Sequence, residues 1–325
     1  MSVPQPYVAE SGFVAEEFTQ EYAAVFFIAK VADAVIRNVH VMGGGIVNGA
    51  TVNDACYGVR NEGTVFLDNV TVTRSNGAVW NNEDAYLYAD NCRFVRNCRY
   101  CAGGLFNHGT AVLNRTSLSE NRSLSTGGGG GAIENGGTLY LNNCVFCNNS
   151  STEIGGAINN YAKGRAIALY MMNTTIVGNF TQFEKDVNDG DQGGGVGVRA
   201  HKNPGHFFSV NNLICNNYQL RTENPGLKLS DVRALHQEFS GVPTDMTNAL
   251  YYTVYGSLTR QGKTSDGGSV LILDESNKGD VSTGVFKAYE ETQRIYQNGI
   301  KSPLPIKGAQ LVAKDDASLN HELAR

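Results

Sequence analysis

A two-part motif repeats six times between residues 57 and 217 of this 325-residue chain. One part reads glycine, small residue, aliphatic residue, any residue and asparagine, as in Gly131-Ala-Ile-Glu-Asn135. The other part ends in two asparagines six positions apart, as in Asn173-Thr-Thr-Ile-Val-Gly-Asn179. Its copies begin at residues 69, 91, 115, 143, 173 and 211, and two of them are degenerate. A repeat period of this length dictates the architecture of the chain.

The repeated segments have the pattern of strands. Apolar residues alternate with a period of two in short runs bounded by glycine and asparagine, which is typical of strands rather than helices. The third residue after the first asparagine is large and apolar in every copy: Val72, Phe94, Leu118, Phe146, Ile176 and Ile214. Since alternate side chains point to opposite faces of a strand, these residues and the smaller ones two places earlier line one interior.

A chain that climbs one strand per turn stacks equivalent residues about 4.8 Å apart. Stacked asparagines can then bond one another, and both asparagine and glycine tolerate the left-handed backbone of sharp corners. We therefore predict an all-β fold, a right-handed parallel β-helix over residues 22–217. The regular apolar columns argue against the alternative, a flexible segment rich in glycine and asparagine.

The two ends of the coil are predicted to be capped, because open strand edges promote aggregation. Residues 1–21 form an N-terminal arm or cap, and the first turn places Val25, Phe27 and Ile28 inside. Residues 218–325 form a C-terminal cap of mixed strands and short helices, which is also a candidate oligomer contact. Its predicted helices are 230–239 and 285–296, and its predicted strands are Leu250–Tyr255 and Val270–Leu273.

Several repeat segments resemble those of known proteins. Gly131-Ala-Ile, Gly155-Gly-Ala-Ile and the Phe/Ile-x-x-Asn segments resemble the GGAI and FxxN repeats of chlamydial polymorphic outer-membrane proteins. Asn173-Thr-Thr-Ile-Val-Gly-Asn179 is similar to the repeats of other secreted bacterial β-helix proteins. The resemblance covers about half of the chain and implies the β-helix fold. It also implies an extracellular or surface location, although the given chain opens without a signal peptide.

Composition restricts the partners. A net charge of −5 gives no basic stripe, so nucleic-acid binding is not expected. The most apolar stretch, residues 23–36, is interrupted by Lys30 and Asp33 and is too short to span a bilayer, so no transmembrane segment is predicted.

The seven cysteines are an odd number, so at least one is unpaired or bonds another chain. Cys92 and Cys144 occupy one interior column two turns apart, about 9.6 Å, which is too far for a disulfide. Cys98 and Cys101 form a CxxC pair at a corner. Three interpretations remain open for that pair: a local disulfide, half of a metal site, or free thiols.

The residues that precede the corner asparagine of the first motif part form a predicted outward column. Because their aliphatic neighbours point inward, these residues point outward: Arg60, Trp80, Phe106, Glu134 and Asn159. We expect an exposed aromatic stripe in which Arg60, Trp80 and Phe106 contact a glycan or a partner. The alternatives are a contact with another subunit, or cover by the long loops.

Candidate catalytic residues are scattered around this stripe: Glu83, Asp84, His108, Glu134, Arg199 and His201. A glycoside hydrolase needs two carboxylates about 5 to 9.5 Å apart, and a lyase needs a base and often Ca²⁺. The segment with Asp186, Asp189 and Asp191 resembles a calcium loop, but it lacks the sixth-position glycine and the closing glutamate. These aspartates are weak candidates for Ca²⁺, and no resident cofactor is predicted.

The sequence as a whole favours an extracellular or surface protein that presents a rigid, repeat-built face for adhesion, glycan contact or self-assembly. The predicted partner is a polysaccharide, a cell-surface glycan or another copy of the chain. The alternative is a carbohydrate-active enzyme, a polysaccharide lyase or glycoside hydrolase, acting in a groove of the β-helix.

Overall fold

The computed structural model describes the chain in segments. They are residues 24–42, 46–47, 50–51, 57–124, 129–162, 164–183, 193–200, 205–221, 226–229, 232–237, 247–260 and 263–274. Every regular element among these residues is a strand, and no helix among them could cross a bilayer. The strands coil into a parallel β-helix with three long faces and one narrow face.

Each face is a stack of strands in register. The first face contains Ala24–Ile28, Tyr57–Asn61, Val79–Asn81, Leu105–Asn107, Ile133–Asn135, Ile158–Ala162, Val196–Ala200 and Val232–Gln237. The second face contains Asp33–Arg37, Thr64–Asp68, Tyr86–Asp90, Thr110–Asn114, Thr138–Asn142, Ile167–Met172 and Gly205–Val210. The third face contains His40–Met42, Thr71–Thr73, Arg93–Val95, Ser117–Ser119, Val145–Cys147, Thr175–Val177 and Leu213–Cys215. All neighbours within these stacks are parallel, as the repeat predicts.

A narrow fourth face and two hairpins complete the described structure. The fourth face stacks Cys98–Arg99, Arg122–Ser123, Ser150–Ser151, Phe180–Phe183 and Tyr218–Arg221, followed by antiparallel Gly226–Leu229. A small hairpin joins Ile46–Val47 to Ala50–Thr51. Thr247–Arg260 pairs with the last strands of the second and third faces, and Lys263–Asp274 returns antiparallel to it.

The interior consists of the columns that the repeat predicts. The third-face column is in register and its side chains are fully buried: Val72, Phe94, Leu118, Phe146, Ile176 and Ile214. Cys92 and Cys144 are buried beside it, two turns apart. Stacking of like residues therefore forms a single continuous hydrophobic core.

Asparagine forms the corners in two ways. The exposed corner asparagines adopt left-handed backbone, with φ of 53° at both Asn69 and Asn91. The second asparagine of each motif is buried and bonds the next turn, so that Asn97, Asn121, Asn149, Asn179 and Asn217 form a ladder with amide separations of 2.8 to 3.0 Å. A second internal ladder joins Asn61, Asn81, Asn107, Asn135 and Asn160 at 2.6 to 2.8 Å. Each side-chain amide hydrogen-bonds the amide of the next turn, so these asparagines can be buried without losing their hydrogen bonds.

Two predictions about the ends are corrected by the structure. Val25 and Phe27 are 51% and 47% exposed, whereas Ile28 is buried, because the period of two cannot place adjacent residues on one face. The helix predicted over 230–239 is wrong, since Val232–Gln237 is a strand that pairs with Val196–Ala200.

The two predicted cap strands are confirmed within Thr247–Arg260 and Lys263–Asp274. The N-terminal arm and the helix predicted over 285–296 lie outside the described residues.

Candidate functional site

The outward column of the first face is the candidate site. Strand register places Arg60 beside Trp80, Trp80 beside Phe106, Phe106 beside Glu134 and Glu134 beside Asn159. Their aliphatic neighbours are fully buried inside the coil: Val59, Val79, Leu105, Ile133 and Ile158. The column therefore faces outward, as alternation along the strands predicts.

The N-terminal half of this column is part of an aromatic cluster that two arginine side chains contact. The Trp80 ring lies 5.1 Å from that of Tyr57 and 5.2 Å from that of Phe106, both edge to face. The Arg60 guanidinium lies 5.4 Å from the Trp80 ring, and the Arg99 guanidinium lies 3.9 Å from the Tyr57 ring and 5.7 Å from that of Trp80. Cation–π attraction and edge contacts thus fix the orientation of the indole.

This cluster is less exposed than the sequence predicts. Phe106 is only 9% exposed, and the indole Nε1 of Trp80 is buried without a hydrogen-bond partner among the described residues. The prediction of an exposed stripe is therefore wrong for Phe106, whereas Arg60 and Trp80 are half-buried. Tyr57, the first residue of its strand, and His108, which follows the strand Leu105–Asn107, pack against the rings and cover part of them.

The corner between the first and second faces carries the charged groups. The His108 ring packs against Phe106 at a tilt of 39°, with centroids 4.3 Å apart. Arg165 donates from Nη1 to the His108 carbonyl at 2.8 Å and forms an ion pair with Glu83. Burial, and then the positive charge of Arg165, lower the pKa of His108, so its imidazole is neutral at pH 7. The glycine at 136 leaves room for this ring, because a Cβ there would lie 2.9 Å from the imidazole.

Of the other catalytic candidates, Glu83 lies near His108 because Arg165 contacts both, and Glu134 is the register neighbour of Phe106. Glu83 and Asp84 are exposed, and Glu83 is engaged by Arg165. Arg199 is buried three turns further along the coil, about 14 Å away, with its guanidinium 4.1 Å from the Tyr161 ring. His201 and the three aspartates proposed for Ca²⁺ lie outside the described residues.

Metal binding finds no support in the described part of the chain. No group of three or more histidine, cysteine, aspartate or glutamate side chains there could hold a metal ion. Cys98 and Cys101 are free thiols rather than a disulfide. Burial raises the pKa of both, to about 11 for Cys101, so the thiol form dominates at neutral pH and neither is a reactive thiolate.

Sequence reasoning missed an aromatic column on the second face. It consists of Phe66, Tyr88, Val112, Tyr140, Tyr170 and Phe208, in register and pointing outward. The Tyr140 and Tyr170 rings stack at 4.8 Å, and those of Tyr170 and Phe208 stack at 4.7 Å. The signal was present as the middle residue of five-residue strands such as Thr138-Leu-Tyr-Leu-Asn142. Since Tyr88 is 1% and Phe208 is 8% exposed, this column is not an open ligand platform.

A stacked pair of carboxylates was also missed. Asp68 and Asp90 are register neighbours at the end of the second face. Each is held by an arginine, Asp68 by Arg37 at 3.6 Å and Asp90 by Arg115 at 2.6 Å. These ion pairs neutralise a repulsion that stacking would otherwise create, so we assign the pair a structural role.

Comparison with protein families, curated proteins and solved structures gave no match for this chain. Its function must therefore be argued from the chemistry of the first-face column.

Proposed function

We propose that this chain is a binding protein that presents the first-face column to an extended glycan at a cell or particle surface. One observation carries the proposal: Arg60, Trp80, Phe106 and Glu134 stand in a single outward column, one turn apart. A linear polymer can follow such a column, because each turn repeats the same direction and the same step of about 4.8 Å.

The chemistry of the column suits sugars. Aromatic rings bury the apolar C–H face of a pyranose, while a few polar groups fix its orientation. Trp80 supplies the half-buried ring, and Phe106 packs edge to face against it. Arg60, which is paired with Glu62, and Glu134 supply polar groups at either side. The cations already packed on Trp80 limit its motion, so little rotamer entropy is lost on binding.

The likeness of the repeats to those of polymorphic outer-membrane proteins supports a surface role. Secreted β-helix proteins of that kind include adhesins, and a rigid coil suits adhesion because it holds its contact residues at fixed spacing. The same rigid face could also serve self-association, which the binding experiment must separate from glycan contact.

The test is a glycan array, followed by calorimetry on the best ligand. Trp80→Ala should weaken binding at least about tenfold, equivalent to about 1.4 kcal/mol. Val145→Ala is the matched control, since Val145 is 42% exposed on the third face, away from the column. Circular dichroism checks that both variants fold, and sedimentation of the free protein reports self-association. Equal affinity of Trp80→Ala and wild type would refute the proposal.

One observation favours the enzymatic alternative. His108 is held neutral beside Phe106, and a neutral imidazole within reach of substrate can act as a general base. A polysaccharide lyase or glycoside hydrolase would then release unsaturated uronates or new reducing ends, and His108→Ala would abolish that release. Glycan binding without any turnover by the wild type would remove this alternative.

A further inference from the structure

Two adjacent asparagines of the first face have opposite surroundings. The side chain of Asn160 belongs to the internal ladder, where it accepts from Asn135 at 2.6 Å and donates to the His206 carbonyl at 3.2 Å. Asn159 points the other way, into the outward column, and is 0% exposed. Neither its Nδ2 nor its Oδ1 has a hydrogen-bond partner among the residues that the structure describes.

A buried amide with both ends unsatisfied is rare in a native protein. Such a group loses its bonds to water without replacement, and this costs more than an ordinary hydrogen bond contributes. Buried polar groups of this kind are usually met by an ordered water or by a ligand. The unsatisfied amide of Asn159 therefore lowers the stability of the fold, which is typical of a residue in a binding site.

The neighbours of Asn159 indicate what would bind. Glu134, a carboxylate that accepts hydrogen bonds, is its register partner on one side. Gly197 is its partner on the other side and contributes no side chain at that level. The amide can donate from Nδ2 to one oxygen and accept an O–H at Oδ1, and the carboxylate can accept a further O–H. This pattern of donors and acceptors matches hydroxyl groups.

We propose that Asn159 and Glu134 form a subsite for hydroxyl oxygen at the polar end of the first-face column. The hydroxyl comes either from an ordered water or from neighbouring hydroxyls of a sugar ring. Because Asn159 is 0% exposed, the sugar reaches it only by displacing what covers it. The sugar source rests on the proposed function and would make Asn159 a specificity-determining residue, two turns beyond Phe106. The water source is independent of the proposed function.

The experiment combines a high-resolution crystal structure of the full chain with binding measurements on two variants. The structure is determined with and without the best oligosaccharide from the array. Asn159→Leu removes the amide while keeping the volume, and Asn160→Leu is the control from the same strand. Asn160→Leu breaks the internal ladder, so it should lower the melting temperature more than Asn159→Leu does.

Each outcome decides the proposal. A water oxygen within about 3.2 Å of both amide atoms, not displaced by sugar, supports the subsite with water as its source. A sugar hydroxyl at that place, with affinity at least about tenfold weaker in Asn159→Leu, supports the sugar source. Absence of any oxygen at the amide, with unchanged affinity in Asn159→Leu, overturns the subsite. If the wild type binds no glycan, the proposed function fails, but the crystal structure still decides between water and no subsite.

Discussion

The buried asparagine ladder should be the most sensitive element of this fold, and Asn121 tests it best. Its Oδ1 accepts from the backbone N–H and the Nδ2 of Asn97, at 3.1 and 3.0 Å. Its Nδ2 donates to the Phe94 carbonyl at 2.8 Å and to Asn149 Oδ1 at 3.0 Å. Replacement with alanine removes all four bonds from a position that is 0% exposed.

The expected loss follows from these contacts. A neutral hydrogen bond contributes about 0.5 to 1.5 kcal/mol net, and a buried donor left without a partner costs about 1 to 3 kcal/mol. Because Asn97 Nδ2 keeps its bond to the Val72 carbonyl at 3.0 Å, and the Phe94 carbonyl lies within the paired strands of the third face, the main orphan is the Asn97 N–H. We expect Asn121→Ala to lower the free energy of unfolding by about 4 kcal/mol, which is about 1 kcal/mol for each of the four lost bonds.

Urea denaturation and amide hydrogen exchange measure this effect. The amide of Asn97 should lose its protection, whereas the amide of residue 121 still donates to Asn149 Oδ1 at 2.9 Å and should stay protected. Asn143→Ala is the matched control, because Asn143 is an exposed corner residue at φ of 52°. Asn143→Ala should lower the free energy of unfolding by only about 1 kcal/mol, because alanine is strained in the left-handed conformation.

The reasoning fails if Asn121→Ala costs no more than Asn143→Ala, or if the Asn97 amide remains protected. Either result would mean that backbone pairing alone sustains the corners and that the ladder contributes little.

Two further predictions concern titratable groups. Since the pKa of His108 is lowered from 6.5 in the folded chain, the unfolded chain binds more protons just below that pH. Stability should therefore fall as pH drops from about 7.5 to about 5. The accompanying fall in melting temperature should be smaller in His108→Gln than in the wild type. An identical fall in both proteins would contradict the pKa shift. Burial raises the pKa of the Cys92 and Cys144 thiols to about 12. Iodoacetamide at about pH 8 should thus label the partly exposed Cys147 before Cys92 and Cys144. Equal labelling of the three by mass spectrometry would contradict the buried columns.

The sequence by itself determined the coil and its columns. Phe146 and Asn149 recur at fixed offsets from a corner asparagine, and a parallel coil converts an offset along the chain into a position in space. For the same reason the alignment of Arg60, Trp80 and Phe106 could be predicted without coordinates. Only local rules, alternation and corner chemistry, were required.

The tertiary structure decided what the local rules leave open. The solvent exposure of an outward residue depends on side chains from other turns and corners, so the burial of Phe106 could not be predicted from the repeat. Residues 232–237 have helical spacing, yet they form a strand because Val196–Ala200 offers an open edge with unpaired hydrogen-bonding groups. The repeat places Asn159 outward and Asn160 at the corner, but only the structure shows that Asn160 is hydrogen-bonded and that Asn159 is buried without a partner among the described residues.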